Sequence, residues 1–365
     1  MNVSISYKIF FLQKSGGISR YFVNLAKYLI NFDVNVNIRS FIHQNIYLYQ
    51  SDFNKNNLYF RKFPYFSRKI FNYINLFFSK STNIISKPDL CHYTYYDNPI
   101  HNNQTSIVTA YDFVHELFFK KYGLKKPYIN KRKISFERAD HIICISKKTQ
   151  EDLVNIYNIP VEKTSVIYLG ADHFFNKKND SPINYDPYIL YVGSRSKHKN
   201  FSTLLKSYYL SSKLKKDFRV ICFGGGKFNK YEIAEINKLK LEKNIIYTEG
   251  NDDKLANLYK FASVLAYPSL YEGFGIPPLE ALQFKCPSVV SQAGSMPEVL
   301  ADSALFVSDP MNSEDWKDNI EKILYSEQIK NQIVLNGTKR VQLFSWRKCA
   351  EQTHTLYKKF LKNEK

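Results

Sequence analysis

One pattern constrains this chain more than any other: an alternation of strand-like and helix-like segments that runs out near residue 180 and then starts again. In the first series Val3–Phe11 reads as a strand, and Gly16-Gly17 turns the chain. Ile18, Phe22, Leu25 and Leu29 then recur at the three- and four-residue spacing of one buried helix face. His141–Ser146 is nearly all apolar, as a strand covered on both faces should be, and Ser165–Gly170 forms another. Pro182–Pro187 reads as a linker. Strands Tyr188–Gly193, Arg219–Phe223, Asn244–Thr248, Val264–Pro268 and Pro287–Ser291 follow, separated by helical segments at 201–210, 233–239, 255–261 and 276–284. Strands that alternate with helices predict parallel sheets. The expected fold is therefore α/β, with two doubly wound, Rossmann-like parallel-sheet domains facing across a cleft. The expected divisions are 1–180, 181–345 and a closing segment 346–365, whose helix Trp346–Leu361 is free to pack back on the N-terminal domain.

Size and composition agree with this. A chain of 365 residues carries about two domains at ~100–200 residues each. With 44% hydrophobic and 23% charged residues it is not a disordered chain. The longest apolar run, Ile70–Phe78, is broken by Asn72 and Asn75 and falls short of the ~18 residues of a membrane span. The first residues lack a basic leader segment, so no signal peptide is expected. The five cysteines are odd in number and never spaced as CxxC, which argues against a disulfide framework or a zinc site. These features point to a soluble, cytoplasmic, reduced protein. The charge is less ordinary: 52 Lys and Arg against 33 Asp and Glu leave +19. Such an excess suits nucleic acid, an anionic membrane face or a phosphorylated substrate, or reflects a lysine-rich proteome.

The densest local signal is Tyr271–Ala281. A strand ends at Pro268, a loop with Gly273 and Gly275 follows, and a helix begins near Ile276 with prolines in its first turn. The amides of Phe274, Gly275 and Ile276 would serve an anion there. Glu272 and Glu280 bracket this turn, placed to accept hydrogen bonds from sugar or ribose hydroxyls. The competing reading is a capped helix with two solvated glutamates. Gly16-Gly17, opening a helix after the first strand, is a second candidate anion cradle or an ordinary tight turn. Tyr191–Phe201 carries Arg195, Lys197 and Lys199 between a strand and a helix; they would neutralise a diphosphate or lie in a solvated loop.

Together these residues resemble the retaining nucleotide-sugar glycosyltransferases of the GT-B fold, specifically family four, with its bacterial mannosyltransferases and rhamnosyltransferases. Tyr271–Ala281 has that family's E-x7-E spacing and GFGIPPLEA wording. Gly16–Phe22 is similar to its N-terminal glycine loop, Ile145–Leu153 to the helix late in its first domain, Tyr191–Phe201 to its YVG…KN turn, and Gly294–Val299 to its SLPEV segment. The resemblance runs in order from about Gly16 to about Pro310.

It implies that the chain moves a hexose from a nucleotide-sugar to a lipid-linked or growing saccharide in polysaccharide or O-antigen assembly. The family's wording tilts toward mannose from GDP-mannose, and no separate cofactor or metal is implied. Lys199 would bind the diphosphate, Glu280 the ribose, and Glu272 the transferred sugar, with Gly16, Gly17 and residues 274–276 around the donor. Gly224-Gly225-Gly226 would leave room for the nucleotide. Two departures stand out. Ser194 occupies the place of the family's arginine and Arg195 comes one later. Tyr111 replaces a histidine before Asp112, the retained candidate catalytic aspartate. A tyrosine is a poor base near neutrality, its ordinary pKa being ~10. His115 reads either as an acceptor-site residue or as a plain structural histidine.

Two basic stretches suit an anionic membrane face. Ile70, Phe71, Ile74, Phe77 and Phe78 share a helical face beside Arg61, Lys62, Arg68 and Lys69, and that face is expected to pack on the first sheet. Lys120, Lys121, Lys125, Lys126, Lys131, Arg132 and Lys133 are the expected lipid-facing cluster, since lysines are seldom buried. A basic nucleic-acid-binding protein is the contrasting reading. It would need a recognition module, and the chain shows two nucleotide-type domains instead, so no nucleic-acid partner is expected. A relative that binds carbohydrate without catalysis is the third.

Overall fold

A computed structural model of the chain describes residues 1–97, 104–118, 126–174 and 185–362. It divides into two compact units. One gathers the described residues of 1–170 with the last helix, Trp346–Lys362; the other holds those of Ala171–Ser345. The boundary expected at 180/181 and the first half of the expected linker, 182–184, fall among residues 175–184, outside the described residues.

The strands are β1 (Asn2–Ser6), β2 (Asn35–Arg39), β3 (Ile42–His43), β4 (Leu58–Tyr59), β5 (Leu90–Tyr93), β6 (Thr105–Ala110), β7 (His141–Cys144) and β8 (Thr164–Val166) in the first unit. All but β3 and β4 form one parallel sheet in the order β2-β1-β5-β6-β7-β8. The second unit holds β9 (Tyr188–Val192), β10 (Arg219–Phe223), β11 (Ile245–Thr248), β12 (Val264–Tyr267), β13 (Ser288–Ser291) and β14 (Leu305–Val307), parallel in the order β11-β10-β9-β12-β13-β14. Both sheets are doubly wound. In each, the strand order reverses once, beside β1 and β5 in the first and beside β9 and β12 in the second, and ligands of such sheets collect at the carboxyl ends there.

The second sheet shows why its strands are continuously apolar. Ile189 and Tyr191 join one buried cluster with Val220, Cys222 and Val264, while Tyr188, Leu190 and Val192 join the other with Ile221 and Leu265. Period-two alternation delivers apolar side chains to both faces, so no polar face remains.

Two expectations are corrected. Val3–Phe11 is not one strand: pairing with β2 ends at Ser6, and Lys8–Leu12 is a short helix that buries Ile9, Phe10 and Phe11. A short apolar run cannot by itself distinguish the two states. The helix Ser67–Ser86 does not pack its apolar face on the sheet. Phe71 and Phe78 turn inward against Phe60, Phe63 and Phe41, but Ile70, Tyr73, Ile74 and Phe77 are exposed and Asn75 is fully buried.

Candidate active site

In the second unit the loops after β9 and β12 meet at the reversal of strand order. The Leu270 N–H donates to the His198 carbonyl at 2.7 Å and ties the loops together. That link brings Lys199, in a short turn at Lys197–Lys199, against Glu272: Nζ lies 2.5 Å from Oε1. Tyr267, the last residue of β12, completes the cluster. Its hydroxyl donates to the same carboxylate oxygen at 2.8 Å and accepts from Nζ at 3.2 Å. Burial alone would raise the Glu272 carboxyl, but Lys199, Ser269 and Tyr267 outweigh it and hold the group below its ordinary value. An anionic Glu272 beside a cationic Lys199 is thus the resting state near neutrality.

The backbone of Glu272 is clamped from another segment. Both the N–H and the Oγ of Ser295 donate to its carbonyl at 3.1 Å. Gly294, at φ +59°, lies so close that a Cβ would come within 2.6 Å of that oxygen. Gly275 is favoured for its backbone conformation. It precedes the helix Ile276–Gln283 at φ +83°, and a Cβ would meet the Met296 Cε at 2.0 Å. Segment 294–299, noticed in the sequence only through a resemblance, therefore supports the Glu272 loop. Within that loop Phe274 is buried against Phe344, while the helix starts at Ile276 with Pro277 and Pro278 supplying no N–H.

Glu280 lies in the helix, buried, and its Oε2 accepts from the Tyr259 hydroxyl at 2.8 Å. The Tyr267 hydroxyl is pushed well above its ordinary pKa by burial first, then by the charge of Glu272 and, more weakly, of Glu280. Lys199 and Glu272 thus share Tyr267, and Glu280 is held separately by Tyr259; sequence reasoning missed both tyrosines. Tyr267 carried a usable signal: it ends a strand at the reversal point.

Arg195 has other partners than Lys199. Its guanidinium donates to the carbonyls of Gly224 (2.8 Å), Gly226 and Lys227 (3.3 Å), and its Nε lies 3.2 Å from Glu232. The ring of Phe228 lies 4.9 Å away. Gly224, Gly225 and Gly226 all have positive φ, so the expected nucleotide-side turn is a left-handed loop held by this arginine. A groove of about 710 Å³ adjoins it, lined by Arg195, Asn200, Tyr231, Glu232, Leu270 and Met311; neither Lys199 nor Glu272 lines it.

In the first unit, Gly16 precedes the helix Gly17–Leu29 in extended conformation. The Gln13 Oε1 accepts from the Ser19 N–H at 3.3 Å and the Ser19 hydroxyl donates to the Gly16 carbonyl at 3.0 Å, so this turn is already capped. Asp112 follows β6 and accepts from the Val114 N–H at 3.2 Å. The Tyr111 hydroxyl is buried and donates to the Thr94 carbonyl at 2.7 Å; burial keeps its pKa well above the ordinary value, so it is no base. His115 is half-buried, and burial together with the charge of Arg132 lowers its pKa. Asp112 and Lys199 belong to separate units.

The reversal point of the first sheet holds a pair the sequence did not suggest: Lys8 Nζ lies 3.9 Å from Asp97. Burial pushes the Asp97 carboxyl from 3.8 to about 6, against the pull of Lys8 and Lys131. The folded chain then holds a proton that the unfolded chain has released, so stability falls as pH rises from 3.8 to about 6. Urea midpoints measured across that window should show this slope, and Asp97→Asn should flatten it; an unchanged slope would assign it elsewhere.

Of the expected lipid-facing cluster, Lys120, Lys121 and Lys125 lie outside the described residues. Arg132 is a correction: it is buried, with Nε 3.1 Å from Glu116 and its guanidinium over Tyr96 and Phe113. Among the described residues, no group of three or more His, Cys, Asp or Glu side chains could hold a metal ion, and all five cysteines are free and buried.

Residues 15–173 match the model of Glycosyltransferase Family 4, and residues 173–340 that of Glycosyl transferases group 1, so the two together cover 15–340. The chain is 30% identical over 235 residues to the O-antigen chain mannosyltransferase RfbU of Salmonella typhimurium; the match covers 63% of each. The chain thus spans under two thirds of that relative's length. Among solved structures it resembles sucrose-phosphate synthase from Thermosynechococcus elongatus, at TM-score 0.79 and 17% identity with 99% of both chains covered. It also resembles HepE of Anabaena in complex with UDP-glucose, at TM-score 0.75 and 16% identity, covering 98% of this chain and 99% of that one.

Proposed function

The chain belongs to the glycosyltransferases that these two family models describe and has the GT-B fold, and from that membership we propose that it is a retaining hexosyltransferase of cell-surface polysaccharide assembly. It takes mannose from GDP-mannose and passes it to a lipid-linked or growing saccharide at the cytoplasmic side of the membrane. The observation that carries the reading is the Lys199–Glu272–Tyr267 cluster at the strand-order reversal of the second sheet. The choice of mannose is supported by what the Salmonella relative is named for.

In this reading the donor diphosphate takes up the Lys199 ammonium, and sugar hydroxyls donate to the Glu272 carboxylate. The acceptor oxygen bonds to the anomeric carbon on the face from which the diphosphate departs. The carbon–oxygen bond to the diphosphate breaks with its electron pair, and the departing phosphate oxygen receives the acceptor's proton. The residues' work is positioning and stabilising the charge that grows on the diphosphate. Lys199 and backbone amides supply that stabilisation without a metal ion.

A panel of nucleotide sugars, scored for tight binding and for nucleotide release with a saccharide acceptor, tests the reading. GDP-mannose should bind tightest, and Glu280→Gln should weaken it about tenfold or more, since a hydrogen bond to a charged group contributes ~1.5–3 kcal/mol. Wild-type affinity in that variant would remove Glu280 from the donor site. Preference for another donor would correct the sugar or base, and no release with any donor would refute transfer.

A further inference from the structure

The helix Ser67–Ser86 is turned the unusual way round. Its inner side carries, besides Phe71 and Phe78, polar groups that are hydrogen-bonded to the rest of the unit. Asn75, completely buried, accepts from the Ile42 N–H at 2.9 Å and donates to the Ile42 carbonyl at 2.8 Å. Asn72 accepts from the Lys8 ammonium at 3.1 Å, and Arg39 donates to the Ser79 carbonyl at 3.2 Å and the Thr82 hydroxyl at 3.3 Å. Rotating the helix to bury its apolar side would unpair all of these groups, each costly to leave unsatisfied. The outer side is apolar: Ile70 (62% exposed), Tyr73 (70%), Ile74 (37%) and Phe77 (75%) make one stripe at i, i+3, i+4 and i+7. In the turn before the helix, Tyr65 and Phe66 are 89% and 88% exposed.

Charge identifies what covers this stripe. Residues 53–88 contain seven Lys and Arg and no Asp or Glu, and Arg61, Lys62, Arg68, Lys69 and Lys80 are all exposed. A second copy would set this cationic surface against itself. A nucleic acid would use the cations but leave Ile70, Ile74 and Phe77 in water. An anionic lipid surface satisfies both: headgroups meet the cations, and the boundary of the acyl chains takes the stripe. We propose that the outer face of Ser67–Ser86, with Tyr65 and Phe66, docks the protein on an anionic bilayer.

The test uses the full chain without donor or acceptor, sedimented with vesicles of phosphatidylglycerol and phosphatidylcholine or of phosphatidylcholine alone. Binding should require phosphatidylglycerol and weaken as salt is raised. Ile70→Ser with Phe77→Ser should lower vesicle affinity about tenfold or more. Arg68→Ala with Lys69→Ala should lower it about fivefold per cation. Both pairs are exposed, so the unfolding temperature and GDP-mannose affinity should stay unchanged. In a Tyr73→Trp variant, emission should shift to shorter wavelength on phosphatidylglycerol vesicles. Absence of wild-type binding, binding that survives both double variants, or a dimer in solution that the Ile70/Phe77 variant dissolves would each overturn the proposal.

Discussion

Lys199→Ala should lower turnover about 10²–10³-fold, the range for removing one donor that stabilises developing negative charge. Arg195→Ala should leave turnover nearly unchanged. The two cations lie four positions apart in one turn, yet the structure gives them different partners: Lys199 meets Glu272 at 2.5 Å, whereas Arg195 donates to the carbonyls of the 224–227 turn. Loss of Arg195 should therefore appear as about 1.5–3 kcal/mol of stability in urea unfolding, from the charge-assisted bonds that hold the glycine turn. The Lys199 variant has a second signature. Without the ammonium, burial acts on Glu272 with less to oppose it, so its carboxyl rises and the rate declines from a higher pH as the medium is acidified. Steady-state rates over pH separate the two variants. Equal turnover losses would show that Arg195 serves the diphosphate after all, and an unshifted profile would uncouple Glu272 from Lys199.

The second unit was legible in the sequence because its physics is local. Five-residue runs such as Tyr188–Val192 feed two buried clusters by alternation alone, and the helix Phe201–Leu210 stands where its periodicity places it. The turn around Glu272 was legible because a glycine at positive φ followed by prolines has few other uses. Apart from the local ambiguity at Val3–Phe11, most of what was not legible depends on a partner far along the chain. Apolar periodicity identified the stripe at Ile70 and Phe77, but which side faces inward is decided by Asn75 on Ile42, 33 residues away. Lys8 and Asp97 meet only because β1 and β5 are neighbours. Segment 294–299 acquires a physical purpose once Ser295 is seen on the Glu272 carbonyl. Arg132 lies among lysines in the sequence, yet a guanidinium, with five donors and a flat face, is the cation that burial tolerates.

Arg132→Ala should destabilise the chain by about 3–5 kcal/mol, the range for removing one partner of a buried ion pair. The side chains of Arg132 and Glu116 are 1% and 5% exposed, so neither charge is solvated in compensation. Glu116 Oε1 also accepts from the Tyr157 hydroxyl at 2.5 Å, and the guanidinium lies 4.4 Å from the Tyr96 ring centre and 5.1 Å from that of Phe113 while donating to the Asp112 carbonyl. Truncation leaves a carboxylate among aromatic rings and cuts the loop after β6 loose at Asp112. Arg132→Met with Glu116→Gln should recover part of the loss, because an apolar stem and a neutral amide remove the unpaired charge. Urea unfolding of the two single variants and the double one measures the coupling. A loss below about 1 kcal/mol, the value of a solvated pair, would mean that Arg132 faces water. His115 supplies a check independent of stability. Burial lowers its pKa first and the charge of Arg132 next, so in a folded Arg132→Met chain the His115 titration followed by NMR should move upward. If it stays in place, the arginine does not reach the candidate acceptor-side loop, and Asp112 is held by its own bond to Val114 alone.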